Sequence, residues 1–131
     1  VSSPTRYTIH GNPVPAPRMT KRDRWAKRPC VLRYREFCDR ARAAHGMATK
    51  LTLSAPTSLL LWVYLPIPKT RLRGRYAVVP GSPCTSKPDA DNLWKAVSDA
   101  LFENDEWIWA GSCLKYWDDG KGPRVEVEIH R

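Results

Sequence analysis

Apolar and polar positions follow two different periods along the chain, and these periods divide it into elements. Near the end, Val125, Val127 and Ile129 alternate with Glu126, Glu128 and His130. A two-residue period puts one set of side chains on a buried face, so Arg124 to His130 predicts a half-buried strand. From Asp91 to Phe102 the period changes: Leu93, Ala96, Val97, Ala100 and Leu101 recur at three- and four-residue steps. That spacing predicts a helix with one buried face. A second helix is predicted from Val31 to Met47, where Leu32, Phe37, Ala41, Ala44 and Met47 form an imperfect apolar stripe ending near Gly46. Thr57 to Leu65 is a run of branched and aromatic residues stopped by Pro66, which predicts a strand buried on both faces. Arg6 to Gly11 and Ser112 to Trp117 read as two further strands.

Breakers fill the gaps. Pro13, Pro15 and Pro17 lack backbone donors, so Asn12 to Arg18 should run extended over the surface and present Arg18. Pro66 to Lys87 carries four prolines and two glycines, and a loop that long in a small domain is more often functional than idle. Asp118 to Pro123, DDGKGP, is turn chemistry. The order β–α–β–loop–α–β–β, with no repeat or linker, predicts an α+β fold. One small domain over residues 1–131 is expected, a mixed sheet packed against two main helices.

Charge changes the picture. The 131 residues carry a formal net charge of +9, from 22 basic and 13 acidic side chains. Ten Lys or Arg fall between Arg18 and Arg42, and with Lys69, Arg71, Arg73 and Arg75 they make fourteen of the 22. Aromatic residues such as Trp25, Tyr34 and Tyr76 are interleaved with them. That pattern favours a polyanion over a merely solvated basic face. Cys30, Cys38, Cys84 and Cys113 lie far apart without zinc-site spacing, and no signal peptide is visible, so reduced thiols in a cytoplasmic protein are expected. The longest apolar run, Leu59 to Ile67, is about half the ~20 residues a membrane helix needs. Trp62 and Trp117 are read as core. Packing is also preferred for Trp107 and Trp109, over base stacking or a dimer seam. His10, His45 and His130 are scattered and support no histidine mechanism.

Against this basic background, the stretch SKPDADNLWKA sets Asp89 and Asp91 in front of a helix. One Asp there is explained as an N-cap facing the positive end of the helix dipole. Two carboxylates two residues apart repel unless something positive lies between them. A phosphatase-type nucleophile needs a preceding apolar strand, and the preceding residues are loop; calcium-loop spacing is absent as well. A metal site is the remaining alternative to the cap. Lys95 shares a helical face with Asp91. A third acid, Asp105 or Glu106, follows the helix, roughly 18 Å away along a twelve-residue axis. It joins the others only if the chain returns it.

At these residues the chain resembles the RusA-type Holliday-junction resolvases, a family of small endodeoxyribonucleases. KPDADNLWKAVSDAL, Lys87 to Leu101, is similar to the family's KPD-x-DN-L-x-K-x-x-x-D-A-L. GNPVPAPR, Gly11 to Arg18, resembles its entry segment, and NDEWI, Asn104 to Ile108, resembles its second acidic box, with Lys115 at a familiar distance beyond. The resemblance implies a homodimeric, Mg²⁺-dependent enzyme, with Mn²⁺ as a second candidate ion, in a bacterial or phage-infected cell. It implies paired nicks in four-way DNA junctions. By position, Asp89, Asp91 and Asp105 would be catalytic metal ligands and Lys95 the catalytic lysine. Trp107 departs from the pattern, where Gln is common, and Glu106 is a substitute ligand. Asp99 and Asn92 are assigned to structural support. Arg18, Lys21, Arg22, Lys69, Arg71 and Arg73, chosen by position and charge, with Lys87 and Lys115, would contact the DNA. A broader structure-selective nuclease and a catalytically silent DNA-binding protein of the same fold are the alternatives.

Overall fold

The computed structural model describes residues 4–18, 20–24 and 28–131; Trp25 of the basic run lies outside the described residues. Among those described, the chain forms β1 (Thr5–His10), α1 (Pro29–His45), β2 (Thr57–Leu65), α2 (Ala90–Leu101), β3 (Ile108–Trp117) and β4 (Arg124–His130). Short 3-10 turns lie at Lys21–Arg24, Lys69–Arg71 and Asp105–Trp107. The four strands make one mixed sheet in the order β1-β4-β2-β3. β4 runs antiparallel to β1 and β2, while β3 lies parallel to β2. The parallel pair requires a crossover, and α2 is the helix in it. The predicted α+β order is thus observed.

Both helices cover the same sheet face. Leu59, Leu61, Val63 and Leu65 of β2 join Val125, Val127 and Ile129 of β4 and Ile9 of β1 in one core. Phe37, Cys38 and Ala41 reach it from α1, and Leu93, Val97, Ala100 and Leu101 from α2. The stripe predicted for α2 is the observed one. That of α1 differs: Val31, Phe37, Cys38 and Ala41 are buried, whereas Leu32 is 43% exposed and Ala44 is exposed. A helix on a sheet edge packs one narrow stripe, and Val31 and Cys38 share Ala41's side where Leu32 does not.

β2 has the predicted bounds but not the predicted burial. Its residues alternate strictly between buried and half-buried. Among the described residues no helix covers the second face, which carries Leu60, Trp62 and Tyr64 beside Tyr116. Tyr64 stacks on Tyr116 with centroids 5.3 Å apart, and the Arg124 guanidinium lies 3.8 Å above the Tyr64 ring. Trp62 is therefore a half-buried residue of the open face rather than a core tryptophan, whereas Trp117 is buried as expected.

β3 begins four residues before its predicted start. Its first half is legible only in three dimensions, because Gly111 there is required by a neighbour. A Cβ at position 111 would stand 2.5 Å from the Trp94 ring of α2. Trp94 in turn donates its indole hydrogen bond to the Leu59 carbonyl at 3.1 Å, so α2 lies close on the β2–β3 pair. Trp107 and Trp109 are 42% and 74% exposed, so the core placement expected for them is overturned. They sit where the chain enters an edge strand.

Candidate active site

The acid pair stands where α2 begins. Asp89 is the N-cap by backbone: it is extended, and its carbonyl accepts the Leu93 N–H at 3.1 Å. Its side chain makes no capping hydrogen bond. Asp91 lies in the first helical turn. Both residues are exposed, and neither carboxylate has a hydrogen-bond or ion-pair partner among the described residues. The cap reading of Asp89 therefore accounts for its backbone but leaves its charge unused. Ordinary first-turn acids gain from the helix dipole, which suits both residues to this position.

What fixes the pair is the loop before it. Gly81 N–H donates to Trp117 O at 3.1 Å, Trp117 N–H to Ser82 O at 2.9 Å, and Cys84 N–H to Lys115 O at 3.0 Å. This stitches the loop to the outer edge of β3. The Lys115 ammonium, on the helix side of β3, donates to the carbonyls of Ser86 at 2.5 Å and Pro88 at 2.7 Å. Arg71 donates from Nη1 to Ser86 Oγ at 2.8 Å and from Nε to Tyr76 O at 3.3 Å, and its guanidinium rests over Trp117. Two cations thus hold the three residues ahead of Asp89. Cys113 lies beside Asp91, Trp94 and Gly111 in a small hollow, and burial pushes its thiol up to about 11.

Lys95 is exposed one turn beyond Asp91. It forms an i,i+4 contact with Asp99 at 3.7 Å instead of pairing with Asp91. An exposed pair at that distance contributes little and leaves the ammonium available. Lys95 shares a groove of about 580 Å³ with Asn92, Asp99, Tyr34 and Arg18. The extended Asn12–Arg18 segment forms one wall of it, as the prolines predicted. Arg40 holds that segment by donating to His10 O at 2.5 Å and Asn12 O at 3.2 Å. Tyr34 donates to Ala96 O at 3.1 Å, and Arg42 to Ala100 O at 3.3 Å, which locks α1 against α2 beneath the groove.

The third acid is elsewhere in the protomer. Asp105 and Glu106 are exposed in the 3-10 turn that follows α2. Asn104 anchors this turn by accepting the Leu53 N–H and donating to the Leu53 carbonyl, each at 2.7 Å. A twelve-residue helix, about 18 Å long, separates that turn from Asp89. Among the described residues no group of three or more His, Cys, Asp or Glu side chains is gathered as for a metal ion. Asp89 and Asp91 are brought together; Asp105 and Glu106 are not brought to them within one chain.

Of the remaining basic positions, Lys21, Arg22, Lys69, Arg73 and Lys87 are exposed, while Arg71 and Lys115 are half-buried and engaged as described. Sequence reasoning assigned both to DNA. Their grip on Ser86 and Pro88 has no local signal, because the partners lie between 15 and 29 residues away. It also missed Arg33 of α1, exposed at the mouth of a second groove beside Lys87.

Exposed, unpartnered carboxylates thus stand near two basic grooves on a small α+β scaffold. A family model described as Endodeoxyribonuclease RusA matches residues 10–130. The chain belongs to that family, the RusA endodeoxyribonucleases that resolve Holliday junctions. Among curated proteins, none matches the chain. Among the described residues no helix is long and apolar enough to cross a membrane.

Proposed function

We propose that the protein is a metal-dependent, homodimeric endodeoxyribonuclease that resolves four-way junctions by paired phosphodiester hydrolysis at Asp89 and Asp91. The observation that carries the reading is the pair of exposed carboxylates without partners, preceded by a braced loop whose Ser86–Pro88 line one basic groove and followed by Asn92 and Lys95 of another. Hard carboxylate oxygens fit Mg²⁺, or Mn²⁺ in its place, and Mg²⁺ commonly takes only one or two carboxylates beside water and phosphate. Such an ion, when bound, supplies Lewis acidity and a more acidic coordinated water.

The chain's own residues do the rest. Asp89 and Asp91 would hold the ion at the helix N-terminus, and Lys115 and Arg71 keep their loop from shifting. Lys95 meets negative charge that builds on the scissile phosphate. Arg18 lies beside Lys95 and, with Lys21, Arg22, Lys69, Arg73 and Lys87, neutralises neighbouring phosphates, so binding weakens steeply with salt. Asp105 is a helix length from the pair, so it joins the ligand set only from a second copy. The outer edge of β3 from Ile108 to Leu114 has no strand partner among the described residues, and Trp109 and Leu114 are exposed along it. An antiparallel pairing of two such edges is isologous, as a twofold dimer requires.

The test is incubation of labelled four-way junctions, forks and linear duplex with Mg²⁺ or EDTA. Paired nicks confined to junctions, lost in EDTA, are expected. Cutting of every branched form points to a broader nuclease, and junction binding with no cutting in either Mg²⁺ or Mn²⁺ sinks the enzymatic reading. Mixing Asp91→Asn with Asp105→Asn chains should restore part of the activity that each lacks alone. Full activity of Asp105→Asn by itself removes Asp105 from the site.

A further inference from the structure

The second groove is lined by Ser86, Lys87 and Pro88, just ahead of the acid pair in the chain, and has a different chemistry. It encloses about 440 Å³, within the ~300–1,000 Å³ of small-ligand pockets. Its apolar lining comes chiefly from prolines and Val14 of the entry segment, from Leu65 and the prolines after β2, and from Trp117. Arg33, Arg71 and Lys87 supply its charge, and no acid lines it. Arg71 is fixed in place by Ser86, Tyr76 and Trp117. Arg33 and Lys87 are exposed and have no ion-pair partner among the described residues. Lys87 lies two residues before Asp89.

We propose that this groove receives one unstacked nucleotide of the cut strand, its base on the proline floor and its flanking phosphates on Arg33 and Lys87. The inference rests on the junction-resolvase reading and adds a subsite to it. Two features select the occupant. A basic rim without carboxylates attracts phosphate, yet a bare phosphate has no use for an apolar floor. A nucleotide has both an apolar ring face and an adjoining anion. A base at a strand crossover keeps fewer covalently continuous stacking neighbours than one inside an unbroken duplex, which lowers the cost of unstacking it. Contact through the ring face is sequence-tolerant, because every base offers one. Occupation of this groove would pin the strand two residues from the acid pair and set which phosphodiester lies over it.

The experiment places 2-aminopurine singly at each nucleotide around the crossover and follows its fluorescence with full-length protein in EDTA. One position on the cut strand should brighten several-fold on binding. Val14→Trp, which fills the groove, should abolish that rise and lower kcat/KM for junction cutting in Mg²⁺ by about tenfold or more. Arg33→Ala with Lys87→Ala, both exposed, guards against misfolding of the filled variant and should raise KM while weakening the same signal. Lys121→Ala, at an exposed residue that lines neither groove, should change neither, and thermal melting confirms that each variant is folded. Protein that binds and cuts junctions while every probe stays quenched overturns the subsite. So does a folded Val14→Trp protein with the wild-type signal and rate. Absence of junction binding by the wild type overturns the resolvase reading itself, and the subsite with it.

Discussion

Two acidic loops in this chain have opposite electrostatic fates. In the turn between β3 and β4, Asp118 accepts the N–H groups of Gly120 at 3.1 Å and Gly122 at 3.0 Å. Asp119 accepts from Lys121 N–H at 3.1 Å and both Arg124 nitrogens at 3.0 Å. The Arg124 guanidinium holds the Asp119 carboxyl well below the usual carboxylate range. At the start of α2, Asp89 and Asp91 carry the same charge and have none of these bonds. The β3–β4 turn spends its carboxylates on its own shape. The α2 loop is shaped by Lys115 and Arg71 instead, so its carboxylates remain free for an external cation.

The largest effect expected from this contrast is at Asp91. Asp91→Asn should lower junction cutting by about a thousandfold, as loss of a charge-stabilising group does, while leaving the melting temperature and junction binding intact. Unfolding of that variant would make Asp91 a structural cap and erase the distinction between the loops. Asp119→Asn should do the reverse, with cutting near wild type and a melting temperature lower by several degrees.

Lys115 offers a sharper break. Lys115→Met removes the donor to Ser86 and Pro88 but keeps the side chain's length, so the loop loses its brace. Cutting is expected to fall by about a hundredfold through misplacement of the acids. Lys115→Arg should recover part of it, and salt dependence of binding should stay unchanged. A reduced salt slope would instead place Lys115 on a phosphate.

Acid titration reads the β3–β4 turn and the open sheet face. Arg124 and the Lys121 N–H lower the Asp119 value, and His130 and Arg6 lower that of Glu128, so both bind protons less readily when folded. Their stabilisation is present above the unfolded carboxylate values near pH 4 and is lost as pH falls through the folded ones. Melting temperature should therefore drop steeply below about pH 4, and Asp119→Asn should flatten the drop. The smallest effect is at the periphery: Lys21→Ala should weaken binding evenly across junctions and reduce the salt slope by about one.

The same contrast explains how much was legible in the sequence. α2 and β4 were readable because their apolar positions keep one period, and the acid pair because capping left one carboxylate over. β2 hid its open face because Leu60, Trp62 and Tyr64 are as apolar as the residues between them. The stripe of α1 was misread through Leu32 and Ala44, which are apolar but turned from the sheet. β3 was shortened because Gly111 looks like a break, when it is the space taken by the Trp94 ring. The fate of each carboxylate depended on partners brought in by folding. Asp119 meets Arg124 five residues away, within one turn. Ser86 and Pro88 meet Lys115 only because a parallel crossover closes.

Arg40 has a reach beyond its own neighbourhood. By gripping the main chain at His10 and Asn12, it suspends the proline segment whose first part borders one groove and whose last part borders the other. One side chain that lines neither groove is thereby the hanger for a partition between two compartments, and its loss would let both change width together.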